Sequence, residues 1–360
     1  MSLWVDKYRP KTLSQLSYHE NISQNLKALS KSGDFPHLLV YGPSGAGKKT
    51  RIYSTLQEIF GSSVEKLKID VKNFVTSSNR KLEFNVLSSP YHLEITPSDM
   101  GNNDRVVIQD LLKDVASTEQ VDFGNQSSKK HRFKVVIINE ADSLSRDAQA
   151  ALRRTMEKYS SNIRLILVCN SISNIIAPIK SRTLLVRIPS PTINDISNIL
   201  NQVAKKEHVK FTSSSEQDIS QFFNQIATVS NRNLRRSLLA FETIYMQNET
   251  IDVKKIHNVI VLDWETIINS MAKTITNQRN VATLAKLRST NYELLSHCIP
   301  ARTILKNLLF ELIRLNQKNV NLIQKIVQIA SVFDERLSLG QKAIFHLEGF
   351  IAKVMVAIEN

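Results

Sequence analysis

The sequence predicts an α/β domain built on a parallel sheet, followed by two helical units. Three observations predict it. Short apolar runs at 37–41 (HLLVY), 134–138 (KVVII), 164–169 (RLILVC) and 183–188 (TLLVRI) are separated by helical stretches, as strands covered on both faces by helices would be. The first run passes directly into a glycine-rich loop and then a helix. Beyond residue 191 the strand signal fades, and apolar residues recur at helical spacing to the end of the chain.

Each element follows in order. A helix is expected over 50–60, after the glycine-rich loop. A second, near 106–115, carries Val107, Leu111 and Val115 at i, i+4 and i+8, a pattern that suits a core face and a docking face equally. Residues 117–132 are polar, end in KKHR, and read as a surface loop. The helix over 147–159 places Ala148, Leu152, Thr155, Met156 and Tyr159 on one face and Arg146, Arg153, Arg154 and Lys158 on the other. After Pro189 and Pro191, residues 194–248 read as short helices, including NRNLRRSLLAFETIY. From 251 the helical pattern resumes and ends in KAIFHLEGFIAKVMVAI, with Ala343, Leu347, Phe350, Ile351 and Val354 on one stripe. The expected domains are 1–188, 189–250 and 251–360.

Composition narrows the class. Glycine and proline number nine each, which favours helix and excludes collagen-like and linker-like chains. Two cysteines, Cys169 and Cys298, make no disulfide framework, so a reducing compartment is expected. No apolar run approaches the ~20 residues that span a bilayer, and Asp6, Lys7 and Arg9 interrupt the start as no signal peptide would. The expectation is an intracellular protein with no membrane partner. Its net charge of +14, from 47 Lys and Arg against 33 Asp and Glu, favours a polyanionic partner such as nucleic acid.

Chemistry enters at Gly42-Pro43-Ser44-Gly45-Ala46-Gly47-Lys48, between a strand and a helix. That context is the P-loop's: backbone N–H groups and the helix N-terminus cradle phosphates, and the lysine reaches the β/γ oxygens. The next position of such a loop carries a hydroxyl for Mg²⁺. Here it is Lys49, with Thr50 displaced by about 100° around the helix. The partner motif, VVIINEAD, ends its strand in Asn139 and Glu140, where active members of the class read Asp-Glu. Asn139 is the weaker metal ligand. Both protein contributions to Mg²⁺ are therefore altered, while Lys48 and Glu140, the groups that position phosphate and water, remain. An ammonium at Lys49 can take over part of the metal's electrostatic role. The expectation is bound ATP or ADP with weak or absent Mg²⁺, no protein-held metal, and Glu140 idle; slow turnover is the competing reading.

With these residues in view, the chain resembles the small subunits of eukaryotic replication factor C, the sliding-clamp loader of the AAA+ superfamily. The markers are WVDKYRP at 4–10, PHLLVYGPSGAGKKT at 36–50, YHLEITPSDMGNNDR at 91–105, AQAALRRTMEKYS at 148–160 and Ile179-Lys180-Ser181-Arg182. The GKK departure and Asn139 are similar to the family's hydrolysis-defective member. The resemblance implies an AAA+ P-loop parallel-sheet domain, a small helical lid and an all-helical C-terminal collar. It implies a nuclear hetero-pentamer with four other replication factor C subunits, acting with the PCNA sliding clamp on primer–template DNA in replication and repair.

It also implies roles. Val5, Tyr8, Arg9 and Pro10 would pack around the adenine, and Asn170 would be the polar sensor between the two halves of the site, although an Asn ending a buried strand is also a common turn residue. Arg182 would be an arginine finger reaching a neighbouring subunit's γ-phosphate, with Thr183 in place of the family's Cys. Arg235 would be the lid's sensor arginine; Arg232-Asn233 replaces the family's Gly-Asp before it and leaves the lid geometry open. Phosphate-tracking DNA contacts would fall to Arg105, Arg146 and Gln149, then Arg80 and Lys81, each of which also reads as an ordinary surface residue. The helix near 106–115 matches the family's clamp-touching element. Two other readings stand beside this one: an active P-loop ATPase acting on its own as a remodeller, and a nucleic-acid-binding protein with a vestigial nucleotide site.

Overall fold

The computed structural model describes residues 2–32, 34–75, 81–117, 133–160, 162–212, 215–248, 250–253 and 262–359. The chain divides into two compact units, Met1–Val259 and Ile260–Asn360. In the first unit the elements run α1 (Trp4–Lys7), α2 (Glu20–Lys31), β1 (Leu38–Tyr41), α3 (Lys48–Phe60), β2 (Lys68–Val75), β3 (Lys81–Ser88) and β4 (His92–Ile95). They continue with α4 (Asp104–Ser117), β5 (Lys134–Ile138), α5 (Arg146–Lys158), β6 (Ile163–Cys169), α6 (Ala177–Lys180) and β7 (Leu184–Arg187). Three helices complete the unit: α7 (Ile193–Lys206), α8 (Glu216–Val229) and α9 (Leu234–Gln247).

The strands form one sheet in the order β2-β3-β4-β5-β6-β1-β7. From β4 to β7 every pairing is parallel; β2/β3 and β3/β4 are antiparallel, so the sheet is mixed rather than purely parallel. β1, β5 and β6 are mainly apolar because both of their faces are buried. Leu39, Val136, Ile138, Leu165 and Leu167 pack with α4 and α5 on one side. Leu38, Val40, Val135, Ile137, Ile166 and Val168 alternate with them and pack with Ile52 and Leu56 of α3 on the other. Val107, Leu111 and Val115 of α4 lie in the first of these cores. That stripe, open in the sequence between core and docking, faces the core.

At α7 the structure starts a helix with a capping box between Thr192 and Asp195. Phe222, Phe223 and Phe241 form the aromatic centre of the α7–α9 layer. Trp4 of α1 is buried against Phe241 and Tyr245 of α9, at ring-centroid distances of 5.3 and 5.1 Å.

The second unit holds α10 (Asp263–Asn277), α11 (Val281–Ser296), α12 (Ala301–Leu315), α13 (Val320–Leu339) and α14 (Ala343–Glu359). Leu347, Phe350, Ile351 and Val354 of α14 bury against Ile268, Leu308, Leu312 and Phe333 of the same unit, so the terminal stripe belongs to that unit's own core. Among the described residues no helix is long and apolar enough to cross a membrane.

Candidate functional site

At the carboxyl end of β1 the chain makes a loop that only glycines permit. Gly45 and Gly47 sit at φ 74° and 85°, in the left-handed region that L side chains avoid. A Cβ on Gly45 would meet the Asn233 side chain at 1.7 Å, and one on Gly47 would meet the Tyr18 hydroxyl at 2.3 Å. The loop is therefore clamped between Tyr18 and the start of α9. Asn233 also caps α9, accepting from the Arg236 N–H. Arg232, at φ 59°, is held by the Ser190 and Pro191 carbonyls.

The loop opens on a cleft of about 810 Å³ lined by Val5, Tyr8, Arg9, Pro10, Ser44, Gly45, Gly47, Lys48, Lys49, Thr50, Asn139, Glu140, Asn170 and Arg235. The structure thus brings the N-terminal segment, the P-loop, the ends of β5 and β6 and the first turn of α9 around one space. Gly42, Pro43 and Ala46 complete the loop; Gly42 packs on the Ile188 carbonyl and Ala46 accepts from the Tyr18 hydroxyl at 3.2 Å. Lys48 Nζ donates to the Gly42 and Pro43 carbonyls at 2.6 and 2.9 Å and to Asn170 Oδ1 at 2.9 Å. Burial holds the Lys48 ammonium below its usual range and the nearby Arg235 adds to this, against the opposite pull of Cys169 and Asp142. Asp142 Oδ2 in turn accepts from the Asn170 N–H, fixing the end of β6.

The N-terminal segment is anchored at both sides of the cleft. The Trp4 N–H donates to Glu242 of α9 at 3.0 Å, and Lys7 and Tyr8 both donate to Glu207 just past α7. Arg9 Nε donates to Thr50 Oγ1 at 3.2 Å and its guanidinium lies over the Tyr53 ring. Thr50 is thus engaged with Arg9, on a different bearing from Lys49. Lys49 Nζ pairs with Glu94 Oε1 at 2.5 Å, and Asn139 Nδ2 donates to the same oxygen at 2.7 Å. The Tyr53 hydroxyl donates to the other Glu94 oxygen. Burial pushes the Glu94 carboxyl up, but hydrogen bonds from Lys49, Tyr53 and Asn139 outweigh it and hold the group below the usual carboxylate range.

These residues fit a nucleotide. A glycine-rich turn, the N-terminus of α3 with its unpaired N–H groups, and Lys48 together form an anion cradle. They do not fit Mg²⁺, which requires oxygen donors in near-octahedral array. The hydroxyl position holds an ammonium, the carboxylate position holds an amide, and both engage the Glu94 carboxylate, whose charge the ammonium neutralises. Glu140, exposed at φ 50°, accepts from Ser98 Oγ at 3.2 Å.

Away from the cleft, Arg182 lies at the foot of β7. Its guanidinium pairs with Glu157 Oε1 of α5 at 2.7 Å and donates to the Pro178 carbonyl at 2.9 Å. Arg105 and Arg146 are exposed at the starts of α4 and α5. Asp104, buried, accepts from both the N–H and the hydroxyl of Ser145, which binds those two helix starts to each other. Gln149 is a correction. It is 1% exposed, its amide donates to the Leu144 and Asn174 carbonyls, and its oxygen accepts from the Ile176 N–H. It ties α5 to the 174–176 turn and has no surface for DNA. Arg80 lies outside the described residues, as does the Lys81 side chain. So does the expected loop from residue 118 to 132.

Sequence reading missed Glu94, Tyr53 and Glu207. A charged residue between the apolar Leu93 and Ile95 was the available signal for Glu94.

Known proteins are similar to this chain. The C-terminal domain of replication factor C subunit 3 matches residues 264–360, an AAA+ ATPase lid domain of the RCF1/5-like type matches 198–246, and a DNA polymerase III delta-subunit model matches 18–192. The chain is 56% identical to replication factor C subunit 5 of Saccharomyces cerevisiae, over 100% of both chains. It is 47% identical to replication factor C subunit 3 of Homo sapiens, over 99% of this chain and 96% of that one. Among solved structures, a point variant of Thermotoga maritima RuvB superposes with a TM-score of 0.50 at 14% identity, covering 78% of this chain and 85% of that one, a likeness of fold alone.

Proposed function

The chain belongs to the replication factor C subunit family, and from that premise we propose that it is a nucleotide-holding, non-hydrolysing subunit of a clamp-loading ATPase. It joins four other replication factor C subunits in a nuclear hetero-pentamer that uses ATP to load the PCNA ring onto primer–template DNA, in replication and in repair. Residues 1–188 form the nucleotide domain, 189–250 the lid and 251–360 the collar.

The observation that carries this reading is the pairing of Lys49 and Asn139 with one Glu94 oxygen, beside an intact Lys48. Lys48 and the α3 N-terminus bind and orient the phosphates. Tyr8 and Pro10 flank the base, Asn170 and Arg235 face the phosphate end, and Glu140, without a metal-ordered phosphate before it, has no in-line water to activate. Arg182 serves the neighbouring site instead. Reconstitution tests this: partner subunits assembled with the chain should show clamp- and DNA-stimulated hydrolysis that the chain alone lacks. An equally active complex without it would defeat the reading.

DNA contact falls to Arg105 and Arg146, which point from adjoining helix starts where α-helix N-termini favour phosphate. Replacing both with alanine is expected to weaken binding equally across sequences. The slope of log K against log salt should become shallower by about 0.9 per lost contact on duplex DNA. An unchanged slope in the assembled complex would remove them from the interface.

A further inference from the structure

We propose that Glu94 and Lys49 form a cation seat whose cation is built into the chain. Glu94 supplies from β4 the carboxylate that Asn139 lacks, and the Lys49 ammonium fills the seat. The proposal rests on the reading of the cleft as a nucleotide site and goes beyond the loss of the metal ligands. It makes weak Mg²⁺ binding a consequence of one occupying side chain rather than of a ruined site.

Three elements converge to build the seat. In the parallel register of β4 and β5, Glu94 stands beside Ile137. Ile137 and Asn139 share a strand face by the period of two, and Ile137 packs with Ile52 and Leu56 of α3. Glu94 and Asn139 are therefore delivered to the same side, against α3. Lys49 and Tyr53 lie one turn apart on that helix, so both reach the same carboxylate. Tyr53 locks one oxygen, and the other is shared between Lys49 and Asn139.

Depth gives the arrangement its direction. Glu94 is 4% exposed, whereas the Lys49 side chain is 41% exposed and lines the cleft. The carboxylate sits behind and the ammonium in front, facing the space where phosphate oxygens would lie. An ammonium has three donors and Glu94 takes one, which leaves two for phosphate. Asn139 is matched to this: an aspartate there would set a second carboxylate against Glu94, with one ammonium to serve both. Removing the lysine side chain in favour of a hydroxyl would leave a buried carboxylate and an oxygen donor side by side, a ligand set suited to a hard divalent cation.

The test is the ADP affinity of the full chain, by titration calorimetry with Mg²⁺ or with EDTA, for wild type, Lys49→Thr and Lys49→Thr/Glu94→Gln. Wild type should differ by less than about twofold between the two conditions, and Lys49→Thr should bind ADP at least about tenfold more tightly with Mg²⁺. The double variant should lose that gain. Mn²⁺ should give a bound paramagnetic signal in the Lys49→Thr·ADP complex only. Should Lys49→Thr fail to stay folded in EDTA, its melting temperature should rise on adding Mn²⁺, and Lys49→Arg should remain folded and indifferent to divalent ions. Wild type that needs Mg²⁺ overturns the metal-free reading of the site altogether. Wild type indifferent to Mg²⁺, with Lys49→Thr equally indifferent or unrescued by Mn²⁺, overturns the seat alone.

Discussion

With Arg182→Ala assembled among wild-type partners, hydrolysis at the adjacent subunit's site is expected to fall by about 10³–10⁵-fold if the arginine is fully engaged there. At about 1.36 kcal/mol per decade, that is about 4–7 kcal/mol of transition-state stabilisation. Against it stands the pair that holds Arg182 in the isolated chain. Glu157 is shared with Arg153, and its exposed ion pair with Arg182 is worth about 0–1 kcal/mol. An engagement of that size would far outweigh the ion pair, so Glu157 would not hold the guanidinium back from a neighbour's γ-phosphate. Folding and assembly should survive the substitution, since a surface arginine contributes little to stability. Steady-state hydrolysis by the complex, with nucleotide binding at Lys48 as the control, checks it. Unchanged hydrolysis would leave Arg182 a surface ion pair.

Lys48→Ala is expected to weaken ADP binding by about 10- to 100-fold, because a hydrogen bond to a charged group contributes about 1.5–3 kcal/mol. The ammonium is partly desolvated and held against three oxygens, two of the loop and one of Asn170, so it is pre-positioned for phosphate. Equilibrium titration of the full chain measures the loss directly. Affinity within twofold of wild type would place the nucleotide elsewhere.

Strands buried on both faces were legible, because β1, β5 and β6 carry their charged residues, Lys134 and Arg164, only near the start and leave an unbroken apolar run behind. β2 and β3 were not. Their outer residues are polar, and β2 even exposes Ile69 and Val71, so neither run stands out by composition. β4 was hidden for the opposite reason: His92 and Glu94 are buried inside it and disguise a core strand as a polar one. Asn170 came only from the family resemblance, whereas the P-loop and Asn139 were legible because their chemistry lies in local spacing. Glu94 was not, because its partner Lys49 lies 45 positions away and only the sheet order brings them together. Gln149 misled for a related reason. The resemblance offered it as a surface phosphate contact, yet tertiary contact with the 174–176 turn consumes its carboxamide.

One measurement bears most directly on the claim that this site holds nucleotide without turning it over. ATP labelled at the γ-phosphate is bound to the full chain, excess is removed, and phosphate release is followed with Mg²⁺ present. The Lys49–Glu94–Asn139 arrangement predicts that label leaves only as intact ATP, at the rate of dissociation. Release of free phosphate at about 1 s⁻¹ or faster, the range of working enzymes, would contradict it.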